Sequence, residues 1–305
     1  MEGRVMKSTG SWYDVMGEDR TIYRCRLQGK LRLDEVKETN PVAVGDLVDL
    51  IIEADDASIT AVKPRDNHIQ RQSVKKAGHA HVLAANVDQV LLIATLRQPR
   101  TSLGFIDRFL VSAEAFRIPQ MLVFNKKDIL LPGELEEVDR LQNLYGSIGA
   151  ITDLVSAAAD ENFDHVLSHL KNKTTLVAGH SGVGKSTFLN RLFPTIQQTV
   201  SEVSEATQKG THTTTFAEMF MIDPTTFIID TPGVKEWGLS EMVPQEISDY
   251  MPEMRELRLE CRYGSRCLHL TEPNCAILQA VDDGRIDASR YDNYVSMVYG
   301  DDNRK

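Results

Sequence analysis

The spacing of apolar positions along residues 1–70 predicts a small β-barrel. Short runs in which apolar and polar residues alternate are separated by turns that contain Gly and Asp, and this is the pattern of half-buried strands. The expected strands are Ile22–Leu27, Leu31–Leu33, Leu47–Ile52 and Ser58–Val62. Strands of this length at this spacing indicate a barrel of the OB type. Cys25 falls on the apolar face and is expected to be a buried core thiol.

The polar face of the same segment carries a group of basic residues. Arg24, Arg26, Lys30 and Arg32 are expected to lie close together on one side of the sheet. Such a face can serve as a nucleic-acid platform, or it can simply be a solvated sheet surface. The residues alone do not decide between the two.

Residues 80–240 alternate continuous apolar runs with amphipathic segments. Strands are expected at Val90–Ala94, Met121–Phe124, Thr152–Val155, Thr174–Ala178 and Thr226–Ile229, and helices at Ile106–Phe116, Glu134–Tyr145 and Phe163–Leu170. Apolar strands that alternate with helices predict an α/β fold with a parallel sheet covered by helices. Beyond this region the pattern is helical, then rich in Cys and His, then helical again. The predicted domains are 1–70, 71–244 and 245–305.

Composition narrows the class of protein. The 305 residues hold 34 Lys and Arg against 44 Asp and Glu, a formal net charge of −10, which argues against coating nucleic acid by bulk charge. No apolar run approaches the roughly 18 residues that a membrane helix needs, and the first residues lack the apolar core of a signal peptide. We expect a soluble, cytoplasmic monomer that does not contact membranes.

Residues 179–186, Gly-His-Ser-Gly-Val-Gly-Lys-Ser, match the phosphate-binding loop G-x-x-x-x-G-K-[ST]. The loop follows a predicted strand and opens a predicted helix, which is the context the motif requires. Lys185 is expected to bridge the β- and γ-phosphates, and the Ser186 hydroxyl to bind Mg²⁺. The residues expected to line the phosphates are Gly179, His180, Ser181, Gly182, Val183, Gly184, Lys185, Ser186 and Thr187.

The tetrad Asn125-Lys126-Lys127-Asp128 indicates which base is bound. The Asp128 carboxylate can accept hydrogen bonds from both N1 and N2 of guanine, a donor pair that adenine lacks. Asn125 can hold the loop and reach the base edge, and the Lys126 stem can lie along the ring. Ser156 and Ala157 follow the next strand, where a backbone N–H can meet guanine O6. The expected cofactor is therefore GTP or GDP with Mg²⁺.

Two further segments complete the expected phosphate site. In Asp230-Thr231-Pro232-Gly233, Asp230 can hold the Mg²⁺ shell and the Gly233 N–H can sense the γ-phosphate. The threonine run in 210–215 is a candidate switch, with Thr214 as a Mg²⁺ ligand. The same run can instead be a plain surface loop. Ras-type GTPases carry these motifs in a different order, so the order here predicts a circular permutation of the same sheet.

With these motifs the sequence resembles the family of small ribosomal subunit biogenesis GTPases. The resemblance rests on Asn-Val-Asp-Gln at 86–89, the permuted order, His-Thr-Thr-Thr at 212–215, Asp-Thr-Pro-Gly and the Cys/His cluster. It implies an OB-fold barrel, a circularly permuted P-loop GTPase domain and a C-terminal helical zinc-binding domain. It also implies late maturation of the small ribosomal subunit, contacts with its rRNA, and slow GTP hydrolysis that the subunit stimulates.

Hydrolysis requires a group that positions water. Ras-like enzymes use Gln just after D-x-x-G, where this chain has Val234. His212 is the candidate for this role, and the resemblance supports a His at this point; the alternative is that His212 only packs within the loop. The expected catalytic residues are His212, Lys185 and Thr214.

Cys261, Cys267, His269 and Cys275 provide three thiolates and one imidazole within 15 residues. This set is typical of structural Zn²⁺, so one structural zinc ion is expected. Free buried thiols are the alternative, and His269 can alternatively touch RNA. The family has four residues between the first two cysteines and this chain has five, which affects the local turn more than the ligands.

The sequence leaves two other functions to be tested. One is a GTP-gated RNA-binding module whose hydrolysis is incidental. The other is an ATP-using metabolic kinase, which Asn125–Asp128 and the lack of a substrate-binding lid disfavour. The leading prediction is a GTP-hydrolysing assembly factor whose GTP state gates binding to and release from the small ribosomal subunit.

Overall fold

A computed structural model describes seven stretches of the chain. They are 1–28, 41–53, 56–72, 80–159, 162–196, 217–231 and 242–300. The expected strand at 31–33 and the 210–215 switch segment lie outside the described residues. Within the seven stretches, no helix has the length and apolar character needed to cross a membrane.

The described residues form thirteen strands and eight α-helices. The strands are β1 Glu2–Ser8, β2 Tyr13–Gly17, β3 Ile22–Leu27, β4 Leu47–Glu53, β5 Asp56–Val62, β6 His68–Gln72, β7 Ala80–Ala85, β8 Gln89–Ala94, β9 Gln120–Phe124, β10 Ile151–Leu154, β11 Thr174–Gly179, β12 Glu218–Asp223 and β13 Thr226–Asp230. The helices are α1 Leu103–Glu114, α2 Pro132–Ser147, α3 Asp164–Leu170, α4 Lys185–Leu192, α5 Pro244–Ile247, α6 Pro252–Arg255, α7 Ala276–Asp282 and α8 Ala288–Val298. Short 3₁₀ turns occur at Lys127–Ile129, Ser248–Tyr250, Leu257–Glu260 and Gly264–Arg266.

The first five strands close into the predicted barrel. Their order is β1-β2-β3-β5-β4, and β4 returns to pair with β1. Apolar side chains of alternating positions fill the interior, with Val5, Val15, Cys25 and Ile59 all fully buried. The expected core position of Cys25 is confirmed, and burial raises the pKa of its thiol to about 11.

The large sheet of the middle region is parallel except at one edge. Its order is β10-β9-β8-β11-β13-β12. Strands β10, β9, β8, β11 and β13 are parallel to one another, as predicted, whereas β12 runs antiparallel to β13. All six residues of β8 and of β11 are buried, because helices cover both faces of a parallel sheet. This burial on both faces explains why these strands are continuous apolar runs in the sequence.

The barrel and the large sheet are joined edge to edge. Strand β1 pairs with β12 antiparallel, with Lys7 opposite Glu218. The Lys7 Nζ also lies 3.0 Å from the Glu218 carboxylate. Together, eleven strands form one hydrogen-bonded sheet.

The C-terminal helices pack against the outer side of α1. Val111 of α1 is buried in the same apolar cluster as Met251, Met254, Ile277 and Tyr294. Beside this cluster lies a buried ionic network, defined here as Asp107, Tyr145, Glu253, Arg290 and Asn293, which joins α1, α2, α6 and α8.

Candidate functional site

The 179–186 loop begins where β11 ends and leads directly into α4. Gly182 and Gly184 have φ of +88° and +90°, a backbone region that favours glycine. Gly179 is required for a different reason, because a Cβ there would lie 2.8 Å from the Ile93 carbonyl oxygen. A glycine-rich turn that opens a helix is the arrangement that binds phosphate groups.

Asn125 joins three motifs that are distant along the chain. Its Nδ2 donates to the Val183 carbonyl at 2.9 Å, and its Oδ1 accepts from the Ala157 N–H at 3.0 Å. The side chain is buried, and a Cβ on Gly184 would come within 2.6 Å of its Nδ2. The tetrad, the 156–157 segment and the phosphate loop therefore meet at one edge of the sheet, although their order is reversed along the chain.

Lys126 extends this connection to the phosphate loop. Its backbone is left-handed, with φ +68°, and its Nζ donates to the Gly182 carbonyl at 2.6 Å and to the Gln98 carbonyl. The Lys126 stem therefore crosses from the tetrad to the phosphate loop.

Asp128 is held by a serine from the neighbouring strand end. The Ser156 hydroxyl donates to Asp128 Oδ1, and Ser156 is buried. The Lys127 N–H donates to the Val155 carbonyl at 3.0 Å. The Ser156 bond occupies one carboxylate oxygen of Asp128 and joins the tetrad to the 156–157 segment.

Lys185, the first residue of α4, lies beside Asp230 at the end of β13. The Lys185 Nζ donates to Asp230 Oδ1, and both side chains are largely buried. Burial raises the pKa of Asp230, and the Lys185 ammonium opposes that rise. The groups expected to hold phosphate and the Mg²⁺ shell thus occupy one place.

His180, the second residue of the phosphate loop, packs against α1. Its ring centroid lies 3.7 Å from that of Phe105 in α1. Burial lowers the pKa of His180, which keeps the imidazole neutral at pH 7 because its ordinary pKa is already about 6.5. Three expected site residues, His212, Thr214 and Gly233, lie outside the described residues.

The three C-terminal cysteines and His269 converge on one point. Their ligand atoms all lie within 4.8 Å of one another, and all four residues are buried. The closest pairs are His269 Nδ1 to Cys275 Sγ at 3.3 Å and to Cys261 Sγ at 3.5 Å. The predicted meeting of the four residues is confirmed.

The protonation chemistry of this cluster fits a metal. Burial raises the pKa of the Cys267 and Cys275 thiols and lowers the pKa of His269 to about 4. A neutral imidazole can bind a metal directly, and a bound cation offsets the cost of thiolates in a buried place. Three sulfurs and one nitrogen form the closed set that Zn²⁺ takes in structural sites.

Groups around the cluster hold its loop in place. The Glu272 carboxylate accepts from the Leu268 and Leu270 N–H groups at 2.7 and 2.8 Å. The Tyr291 hydroxyl of α8 donates to the His269 carbonyl at 2.7 Å. The role of Tyr291 was not predicted, since an amphipathic helix gives no signal of which carbonyl its tyrosine meets.

Comparisons with known proteins agree with this geometry. The RsgA GTPase family matches residues 62–240, and the RsgA N-terminal domain family matches residues 2–59. A small ribosomal subunit biogenesis GTPase RsgA of Bacteroides fragilis is 44% identical over 299 residues, which cover 98% of this chain and 96% of that protein. Its counterpart in Cytophaga hutchinsonii is 44% identical over 308 residues, covering all of both.

Two solved structures share the fold. YjeQ from Thermotoga maritima superposes with a TM-score of 0.78 at 31% identity, covering 100% of this chain and 99% of that one. YloQ, described as a circularly permuted GTPase, gives a TM-score of 0.73 at 29% identity over 100% and 96% of the two chains.

The fold and the site together define a circularly permuted GTPase. The strand order, the reversed motifs and the two structural neighbours all support this class. The chain belongs to the RsgA family. The family resemblance and the fold class drawn from the sequence are confirmed.

Proposed function

We propose that this chain binds GTP with Mg²⁺, hydrolyses it to GDP and phosphate, and assists late maturation of the small ribosomal subunit in the cytoplasm. The contacts of Asn125 with Val183 and Ala157 carry the proposal. They hold the segments expected to bind the base and the phosphates side by side, where one nucleotide can contact both. Relatives at 44% identity bear the name small ribosomal subunit biogenesis GTPase. The GTP state would gate binding to the subunit and its rRNA, and hydrolysis would release a monomeric factor.

The roles of the site residues are part of this proposal. Asp128 reads guanine, and Asn125 and Lys126 hold the base-side loop against the phosphate loop. Lys185 contacts the β- and γ-phosphates, and the hydroxyls of Ser186 and Thr214 hold Mg²⁺, which neutralises charge on the phosphates. The remaining contacts are assigned to Lys127, Ser156, Ala157, Gly179, His180, Ser181, Gly182, Val183, Gly184, Thr187, Asp230 and Gly233.

The reaction needs little covalent chemistry from the protein. A water oxygen attacks the γ-phosphorus, the bond from that phosphorus to the β–γ bridging oxygen breaks, and GDP leaves. His212 would orient the water, and Lys185 would stabilise the charge that develops on the phosphoryl oxygens. With hydrophobic Val234 in place of the usual Gln, turnover without the subunit would be slow.

The C-terminal cluster is proposed as a structural zinc site. Cys261, Cys267, His269 and Cys275 would bind one Zn²⁺, and no chemistry at the nucleotide is assigned to it. The domain limits 1–70, 71–244 and 245–305 likewise stay predictions.

Exchange of Asp128 for asparagine tests the reading of the base. An amide places a donor where guanine needs an acceptor and can pair with the O2 carbonyl of xanthine instead. We expect D128N to lose at least about 100-fold in GTP affinity, from two lost hydrogen bonds to a charged group, and to gain affinity for XTP. Competition of fluorescent GDP with GTP and XTP measures both. Unaltered GTP preference would remove Asp128 from base recognition.

Exchange of His212 for alanine tests the positioning of water. We expect H212A to lower subunit-stimulated turnover by about 10²-fold or more, in the range of a lost general-base or orienting group, while GTP affinity changes little. Phosphate release with and without small subunits measures this. The matched control is H165A, because His165 lies exposed on α3 beside Asp153; stimulated turnover equal in both variants would exclude His212.

Co-sedimentation with isolated ribosomal subunits tests the function as a whole. We expect binding to the small subunit with a non-hydrolysable GTP analogue, release with GDP, and multiple-turnover hydrolysis that small subunits accelerate. Binding that follows the nucleotide without any acceleration of hydrolysis would instead identify a GTP-gated RNA-binding module. That alternative is not favoured, since the relatives are named as GTPases.

A further inference from the structure

A loop that no motif identifies lies between the two halves of the nucleotide site. Residues 95–101, called here the 95–101 loop, follow β8. Strand β8 lies between β9, which leads to the tetrad, and β11, which leads to the phosphate loop. Because the carboxyl ends of parallel strands share one edge, the 95–101 loop emerges between the two motifs.

Two threonines close the 95–101 loop on itself. The Thr101 N–H donates to the Thr95 carbonyl at 2.7 Å, and the Thr95 N–H donates to Thr101 Oγ1 at 3.0 Å. The Thr95 hydroxyl then crosses the loop and donates to the Pro99 carbonyl at 2.5 Å. Both threonines are buried, so these bonds do not compete with water and restrict the loop to one conformation.

The closed loop contacts both nucleotide motifs. The Gln98 carbonyl accepts from Lys126 Nζ, the same ammonium that donates to Gly182 of the phosphate loop. The Pro99 ring lies against Gly182, where a Cβ would come 3.2 Å from Pro99 Cδ. A lysine ammonium has three donors, and two of them are occupied by these carbonyls.

The opposite side of the 95–101 loop is anchored to the segment after the tetrad. Arg97 Nε lies 3.3 Å from the Glu134 carboxylate of α2, and Arg97 Nη1 donates to the Ile129 carbonyl at 3.4 Å. The loop is thus attached to the phosphate loop on one side and to the base-recognition segment on the other.

We propose that the 95–101 loop is a third element of the guanine-nucleotide site, and that Thr95 is a positioning residue acting through Lys126. The Thr95–Pro99 bond fixes the Gln98 carbonyl, that carbonyl holds the Lys126 ammonium, and Lys126 holds the tetrad against the phosphate loop. The loop therefore sets how long a guanine nucleotide stays bound. This inference rests on the proposed function, since it requires that these motifs bind one nucleotide.

Dissociation of fluorescent GDP from the full chain tests the inference. Thr95→Val keeps the shape of the side chain and removes the hydroxyl. We expect T95V to release GDP about five times faster than the unchanged protein, the equivalent of about 1 kcal/mol for one hydrogen bond. Thr95→Ser keeps the hydroxyl and is expected to restore slow release.

A matched control separates positioning from general stability. Thr60 in β5 also donates its hydroxyl to a backbone carbonyl, that of Asp49, at 3.2 Å, and it lies in the barrel. T60V is expected to leave GDP release unchanged. If Thr95 only stabilises the fold, T95V will lower the thermal midpoint without nucleotide and release GDP at the rate of T60V, which would overturn the inference.

A double variant tests the route through Lys126. K126M removes the ammonium, so adding T95V to K126M should accelerate GDP release by less than about twofold beyond K126M alone, since coupled residues are not additive. A full fivefold further effect would overturn the assignment to Lys126. If the unchanged protein binds no guanine nucleotide at all, the proposed function fails with the inference; normal binding with unaltered T95V release rejects the inference alone.

Discussion

Replacing Cys267 by serine is expected to reduce bound zinc from one ion per chain to below detection and to unfold the C-terminal helices. The four ligand atoms share a buried space within 4.8 Å, and without a cation they leave raised-pKa thiols and an imidazole in apolar surroundings. Zinc binding to such sets supplies roughly 10–16 kcal/mol in isolated zinc-finger peptides. Elemental analysis and hydrogen exchange over residues 261–298 measure the two effects.

The fourth cysteine of the chain provides the control. Cys25 is fully buried in the barrel, so C25A should retain one zinc ion and normal exchange in the C-terminal helices. Treatment with a strong chelator should reproduce the C267S result in the unchanged protein. A C267S variant that kept one zinc ion and a protected C-terminus would contradict the assignment of the cluster.

Replacing Arg290 by methionine is expected to destabilise the junction of α1 with the C-terminal helices by about 3–5 kcal/mol, the cost of leaving a buried charge unpaired. Arg290 is almost wholly buried. Its Nη1 donates to Asp107 at 2.5 Å and its Nε to Glu253 at 2.7 Å. Urea unfolding followed by circular dichroism measures the loss.

The destabilisation of R290M is expected to depend on pH, and the direction follows from the pKa of Asp107. Burial raises the pKa of Asp107, and the Arg290 guanidinium opposes that rise. Without Arg290, the pKa of Asp107 in the folded protein moves further above its value of about 3.9 in the unfolded chain. The folded protein then keeps a proton on Asp107 that the unfolded chain releases. The free energy of unfolding therefore falls as pH rises from the unfolded to the folded pKa of Asp107. The destabilisation of R290M relative to the unchanged protein should be larger at pH 7.5 than at pH 5.

Two further variants serve as controls for the R290M prediction. Arg285 is half exposed and lies 3.5 Å from Asp283, so R285M should change the unfolding free energy by less than about 1 kcal/mol. The double variant D107N/R290M removes Arg290 and its fully buried carboxylate partner, leaves only the Glu253 carboxylate, and should be less destabilised than R290M alone. An R290M protein as stable as R285M, with no dependence on pH, would contradict the role of the buried network.

The candidate nucleotide site could be predicted because its contacts follow from motif spacing and strand topology. Asn125 and Val183 are 58 residues apart, yet each follows a strand of the same parallel sheet. The 95–101 loop escaped prediction for the opposite reason. Thr95 and Pro99 match no motif, and their importance depends on β8 lying between β9 and β11, an order that the sequence does not display.

The barrel shows where alternation fails as a signal. Strands β3, β4 and β5 were expected within two residues of their observed limits, whereas β1 was not singled out. Strand β1 pairs with β2, β4 and β12 and shifts register between Val5 and Lys7. Val5 packs in the core of the barrel and Met6 in the core beside the large sheet, so β1 is buried on both faces and shows no two-residue period.

The buried ion pair of Arg290 and Asp107 could not be predicted from the sequence either. Arg290 lies in an amphipathic segment near the charged end of the chain, where arginine is normally solvated. Its partner Asp107 is 183 residues away, and α1 gives no sign that a carboxylate points inward. Only the packing of the C-terminal helices on α1 makes the pairing visible.

The shared edge of β1 and β12 gives the barrel a direct hydrogen-bonded connection to the large sheet. The first strand of the barrel meets the large sheet at the pairing of Lys7 with Glu218 and at the ion pair of their side chains, which hold the barrel closer to that sheet than a flexible linker alone would. Strand β12 and the Asp230 end of β13 are paired neighbours. The Asp230 end of β13 is therefore linked to the barrel by consecutive strand pairings through β12 and β1.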